Sequence, residues 1–140
     1  MKRDFALYHV GLRILLRKGN KTLLLRTAKL KFWDLPGGRI DNVENKTPLM
    51  RILKREICEE LGSRLKYKIG RPAFQFRRFS YSRGVYAFNT VYEARYLSGK
   101  IKLSSEHSSY EWVDPKKYPF SRRDFFNTEE YNAFKEYLGR

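Results

Sequence analysis

Leu35-Pro36-Gly37-Gly38-Arg39-Ile40-Asp41 leads, a few residues on, into Arg55-Glu56-Ile57-Cys58-Glu59-Glu60-Leu61-Gly62. The first segment reads as a strand end and a tight double-glycine turn, because adjacent glycines accept positive φ and let a backbone approach a ligand closely. The second reads as the end of a helix over about 48–61. Thr47 is the expected N-cap, Pro48 the first helical residue and Gly62 the stop. The chain has 15 acidic residues against 30 Lys and Arg, yet Glu56, Glu59 and Glu60 crowd into this one stretch.

At about 100° per residue, a helix can be laid out as a wheel. Leu49, Met50, Ile52, Leu53, Ile57 and Leu61 form an apolar stripe centred near Leu53. Glu60 falls inside that stripe, Glu56 and Glu59 lie on one edge, and Arg51, Lys54 and Cys58 take the opposite side. A half-buried carboxylate without a partner is costly. Glu56 and Glu60 are like charges at i and i+4, a repulsion of roughly 0.2–0.5 kcal/mol. Glu59 and Glu60 sit in the last turn, where the helix dipole disfavours anions by about 0.3–1 kcal/mol. Arg55 reaches Glu59 at i+4, which leaves two acids unexplained. Two readings are open: an ion-pair network with the abundant Lys and Arg, or a divalent Mg²⁺ or Mn²⁺ held by oxygen ligands. The position at the edge of the apolar stripe favours the cation.

Working outward, residues 5–17 and 22–26 read as a hairpin turned at Gly19-Asn20, and Lys31 to Leu35 as a short strand. His9, in the first of these strands, reads as a packed or surface imidazole. Residues 64–81 and 85–98 read as longer strands joined by a Ser82-Arg83-Gly84 turn. Tyr110 to Val113 is a further short strand, and residues 128–138 a C-terminal helix with Thr128-Glu129-Glu130 as its cap and first turn. The pattern is an α+β, αβα-layered domain, a mixed sheet between helices over 1–140. That length buries roughly two thirds of the unfolded chain's surface.

The net charge of +15 implies attraction to polyanions, among them nucleotides and RNA. Cys58 is the only cysteine, which excludes an internal disulfide and a cysteine zinc site and fits the cytoplasm. No apolar run approaches the roughly 18 residues of a membrane span.

The quoted stretch resembles the Nudix box: Gly, five residues, Glu, seven residues, Arg-Glu, an aliphatic, any residue, Glu-Glu, any residue, Gly and an aliphatic. Here Gly38 is followed at that spacing by Glu44, and Arg55 to Gly62 match the charged octad. Ten residues separate Glu44 from Arg55, a three-residue insertion around Asn45-Lys46, and Ser63 replaces the aliphatic. The resemblance implies a sandwiched mixed sheet and hydrolysis of a nucleoside diphosphate linked to another moiety, with Mg²⁺ or Mn²⁺. It implies Glu56, Glu59, Glu60 and the Gly38 carbonyl as metal ligands, one glutamate doubling as general base, and Arg55 as the residue that orients a glutamate. Family members often recruit a late-loop acid; Glu106 is the candidate for base or extra ligand and Glu111 the second, with His107 a neighbour.

For substrate binding, the candidates are Arg39, Arg77, Phe79 and Tyr81, from arginines interleaved with aromatics that stack bases and grip phosphates. The same alternation is more often the signature of a packed strand. Small nucleotides are the favoured substrates, with RNA 5′ ends and a non-catalytic nucleotide- or RNA-binding module as rivals. No feature specifies an oligomeric state.

Overall fold

The computed structural model describes residues 2–139. Its centre is built from two leucine-rich strands, β1 (His9–Lys18) and β2 (Lys21–Thr27). Ile14, Leu15 and Leu16 in β1 and Leu23, Leu24 and Leu25 in β2 are consecutive apolar residues, all with 0% exposure. Such runs belong to strands covered on both faces. β3 (Trp33–Asp34), β4 (Gly37–Arg39), β5 (Lys66–Ser80), β6 (Val85–Ser98) and β7 (His107–Val113) complete the sheet, with helices α1 (Leu49–Leu61) and α2 (Thr128–Leu138).

Among the described residues the sheet has seven strands. The order runs β3-β2-β1-β6-β5, with β4 against β1 and β7 against β2. β1 and β6 are parallel, and the other pairs are antiparallel. One face carries α1: Leu12, Ile14, Leu16, Leu23 and Leu25 pack on Ile52, Leu53, Ile57 and Leu61. The other carries α2: Leu15, Leu24, Phe76 and Val91 pack with Phe125, Phe134 and Leu138. Burying each such side chain contributes about 1.5–3 kcal/mol. The arrangement is the αβα sandwich expected from the sequence.

One detail of the pairing makes the cleft. Among the described residues, β1 pairs with β2 only beside their turn, at Arg17–Thr22 and Lys18–Lys21. Further back along β1, β4 takes the neighbouring place, opposite Gly11, Leu12 and Arg13. α1 lies over that junction.

Several local expectations are corrected. Gly37 and Gly38 form strand β4, not a turn, because both pair with β1. Thr47 does not cap α1; Pro48 holds the cap position with no side-chain hydrogen bond, and its carbonyl accepts from the Arg51 and Ile52 N–H groups. α2 is capped by Asn127, whose Oδ1 accepts from the Glu130 N–H, so Thr128 is its first helical residue. β7 starts three residues earlier than expected, which brings His107 into the sheet. A 3-10 turn (Asn42–Glu44), closed by Val43 N–H to Asp41 and Asp41 N–H to Glu44, precedes the insertion, and Asn45 to Thr47 then form a turn in which the Thr47 N–H donates to the Glu44 carbonyl at 2.9 Å.

Candidate active site

The three glutamates of α1 take three different environments. Glu60 is buried, at 4% exposure, in the apolar face. Glu56 is half-buried, and Glu59 is exposed. The two glycines of β4 receive the first two, Gly38 by leaving space and Gly37 by its N–H. A Cβ on Gly38 would lie 2.1 Å from Glu56 Oε2, so only glycine lets that carboxylate sit against β4. Gly37 has φ +144°, and a Cβ there would meet the Leu12 carbonyl at 2.1 Å. Its N–H donates to Glu60 Oε1 at 3.0 Å. Glu60 Oε2 is buried and has no hydrogen-bond partner among the described residues. Burial pushes the Glu60 carboxyl up to about 8; Arg13 works against that rise and Asp34 adds to it.

Arg55 binds three carboxylates at once. Its Nε and Nη2 donate to the two Glu44 oxygens at 2.7 and 2.6 Å, Nη2 also to Glu56 at 2.8 Å, and Nη1 to Glu59 at 3.0 Å. Glu44 thus reaches Arg55 despite the insertion, and its carboxyl is held below the usual range by that guanidinium. Burial moves Glu56 upward, with Arg55 opposing. Only a planar fork serves three acids in this way. Arg55→Ala is expected to lower turnover 10–100-fold, the usual cost of losing an orienting partner. Arg55→Lys should recover little of it, and steady-state kinetics of the two variants check this.

Behind the glutamates lies a buried charge network that the sequence did not reveal. Asp34 on β3 accepts from Arg13 at 2.9 Å, from Arg78 at 3.2 Å and from His107 Nε2 at 3.0 Å. Arg78 continues to Glu130 on α2 at 2.6 Å. Arg13 also donates to Asn89 and to the Leu35 carbonyl. A lone acid in the apolar Phe32-Trp33-Asp34-Leu35 run was the available signal, since a buried carboxylate needs cationic partners.

Two adjoining clefts open over this assembly. One, of about 480 Å³, is walled by Arg13, Asp34, Gly37, Gly38, the three helix glutamates, Glu106 and His107. The other, of about 520 Å³, runs past His9, Val43, Glu44, Arg55 and Arg83. Arg39 and Glu56 line both. The structure therefore brings Gly38, Arg39, Arg55, Glu56, Glu59, Glu60 and Glu106 together. It does not bring Arg77, Phe79 or Tyr81 to either cleft. Arg77 is committed to Glu129 of α2, at 2.7 Å. Phe79 and Tyr81 meet edge to face at a hairpin tip, with ring centroids 4.9 Å apart. Arg83 of that hairpin reaches the cleft instead. Glu111 lies exposed on β7 and lines neither cleft.

A family model described as NUDIX domain matches residues 7–136. The chain belongs to the Nudix family. This Nudix chain is 30% identical over 111 residues to a Bacillus subtilis protein named as a putative 8-oxo-dGTP diphosphatase, covering 76% of this chain and 66% of that relative. The chain thus spans just under two thirds of the relative's length. A MutT protein from Methanosarcina mazei shares 25% identity, with a TM-score of 0.73 and coverage of 99% and 97% of the two chains. A MutT Nudix hydrolase from Burkholderia pseudomallei shows the same fold at 22% identity, with a TM-score of 0.69 and coverage of 94% and 98%.

Nudix enzymes generally use divalent metals, and this donor set fits one. Glu60 offers a buried oxygen that accepts no hydrogen bond from the described residues. Glu56 and Glu59 add carboxylates beside it, and Glu106 faces the same cleft. Carboxylate oxygens are the ligands hard dications take.

Proposed function

We propose that this protein is a divalent-metal-dependent pyrophosphohydrolase. It would cleave the diphosphate of a nucleoside diphosphate linked to another moiety, by attack of water on phosphorus, in the cytoplasm. The observation that carries this reading is the unpartnered Glu60 oxygen, buried beside Glu56 and Glu59 at the floor of a cleft.

Glu56, Glu59 and Glu60 would hold Mg²⁺ or Mn²⁺, with the Gly38 carbonyl as a further donor. A dication held there would supply charge to offset the diphosphate oxygens and to make the attacking water more acidic. The chain's own contribution is placement. Arg55 fixes the Glu56 and Glu59 carboxylates through its fork. Glu59 and Glu106 are exposed at the cleft wall, where a proton leaving the attacking water can be accepted. Arg39 stands where the two clefts meet, placed to pair with a substrate phosphate.

The test is a nucleotide panel with Mg²⁺ and with Mn²⁺. It should begin with 8-oxo-dGTP, which the Bacillus relative's name suggests, and extend to dinucleoside polyphosphates and nucleoside diphosphate sugars. A mononucleotide product is expected for at least one of them, with none in EDTA. A full panel without metal-dependent turnover sinks the proposal.

One observation favours RNA 5′ ends as a second substrate class. Arg17, Arg95 and Lys68 stand directly opposite one another across β1, β6 and β5, all exposed. Like charges in a cross-strand row destabilise a sheet, and a phosphate backbone relieves them. If RNA is the substrate, turnover of 5′-triphosphate RNA should exceed that of free nucleotides and fall steeply with salt.

A further inference from the structure

The imidazole of His107 is buried on β7 with a carboxylate on either side. Nε2 lies 3.0 Å from Asp34 Oδ2. Asp34, paired with Arg13 and Arg78, is an ionised acceptor. Nε2 must therefore carry the ring proton and donate it. In the neutral ring this leaves Nδ1 with a lone pair. Nδ1 faces Glu60 Oε2 at 3.5 Å. Both atoms are buried, and neither has a hydrogen-bond partner among the described residues. Two buried lone pairs facing one another are unfavourable, and a proton or a cation belongs between them; the Glu60 carboxyl, pushed up by burial, holds that proton when no cation is bound.

We propose that His107 Nδ1 is a nitrogen donor to a divalent cation, shared with Glu60 and Glu106, and that it tilts this cleft toward Mn²⁺ over Mg²⁺. The inference rests on the metal reading given under Proposed function and adds a ligand of a different element to it. One ligand atom from each of the three residues lies within 4.8 Å of the other two. Metal–ligand bonds of about 2.1 Å let one ion join atoms up to roughly 4 Å apart. The Nδ1–Oε2 spacing already satisfies this, and the exposed Glu106 side chain is free to close the remainder. Asp34 supplies what a ligating histidine normally has, a carboxylate on its other nitrogen that fixes ring and tautomer. Imidazole suits transition ions, whereas Mg²⁺ takes oxygen.

The test is Mn²⁺ titrated into the full chain and followed by pulsed electron spin resonance, with histidine ¹⁵N-labelled. Histidine nitrogen coupling to the bound ion is expected in the wild type and in His9→Gln, and not in His107→Gln. Mn²⁺ affinity should fall 10-fold or more in His107→Gln while Mg²⁺ affinity changes less than about threefold. A melting curve shows that the variant is folded; if it is not, the wild-type and His9→Gln spectra decide. Bound Mn²⁺ without histidine coupling overturns the nitrogen ligand and leaves the hydrolase reading intact. A wild type that binds no Mn²⁺ at all overturns both.

Discussion

Glu60→Gln is expected to abolish metal-dependent turnover and, at the same time, to leave the metal-free protein as stable as wild type or more so. Loss of a charged group aimed at the reacting centre typically costs about 10²–10³ in kcat, and here the lost oxygen is the buried, unpartnered one. The stability effect has the opposite sign. Glutamine keeps a carbonyl oxygen to accept the Gly37 N–H. Its amide N–H can then donate to His107 Nδ1, the atom that Glu60 Oε2 faces without a hydrogen bond. Satisfying both groups is worth on the order of 1 kcal/mol. The pH dependence follows from the same residue. Burial raises the Glu60 pKa in the fold, from 4.5 to about 8. A raised folded-state value means that the folded chain binds the extra proton. Its contribution is fully present below about pH 4.5 and drains away as pH rises to about 8. Thermal melts in EDTA should show the wild type losing stability across that window and Glu60→Gln lacking the slope. Added Mg²⁺ should then raise the wild-type melting temperature and leave the variant's unchanged. If Glu60 were only a member of a structural ion-pair network, its amide would be less stable at every pH and would turn over normally.

The contrast between Glu60 and Asp34 shows what a sequence discloses. The positions of the α1 glutamates were legible because a helix has a fixed period: the wheel placed Glu60 within the apolar stripe, and it is buried there. Caps were read one residue off, because the Thr47-Pro48 and Asn127-Thr128 pairs each offer two plausible starts and only the backbone chooses. Successive side chains of a strand point to opposite faces, and nothing local says which face is buried. Arg78 turns inward to Asp34 and Glu130, and Arg77 outward to Glu129. Asp34 alone in its apolar run hinted at buried cations, but which ones was hidden for a topological reason. Asp34 meets Arg13, Arg78 and His107 across separations of 21, 44 and 73 residues. No local periodicity carries such contacts; they exist because β4 displaces β2 alongside β1 and because α2 closes the opposite face.

Asp34→Asn is accordingly the substitution expected to harm the fold most among the polar positions of the cleft. Burial alone would push the Asp34 carboxyl up. Arg13 and Arg78, with the His107 hydrogen bond, override it and hold the group well below the usual carboxylate range. Taking one charge out of a buried, paired set costs about 3–5 kcal/mol, because the partners stay desolvated without compensation. Here two guanidiniums are left facing a neutral amide, both with side chains no more than 13% exposed. Against a total stability of about 5–15 kcal/mol, the loss should lower the melting temperature on the order of 10 °C or more. The sign with pH is opposite to that of Glu60. A lowered folded-state value gives stability that is present above the unfolded pKa near 3.8 and is lost as pH falls further. Wild type should therefore outlast Asp34→Asn most clearly at neutral pH, and the gap should narrow on acidification below about pH 4. Urea unfolding followed by circular dichroism at pH 7 and in acid measures both. Glu111→Gln, exposed on β7, serves as control and should change stability by less than about 0.5 kcal/mol. An Asp34→Asn protein as stable as that control would mean that Arg13 and Arg78 find their anions elsewhere, and the network would then not be what joins α2 to the cleft.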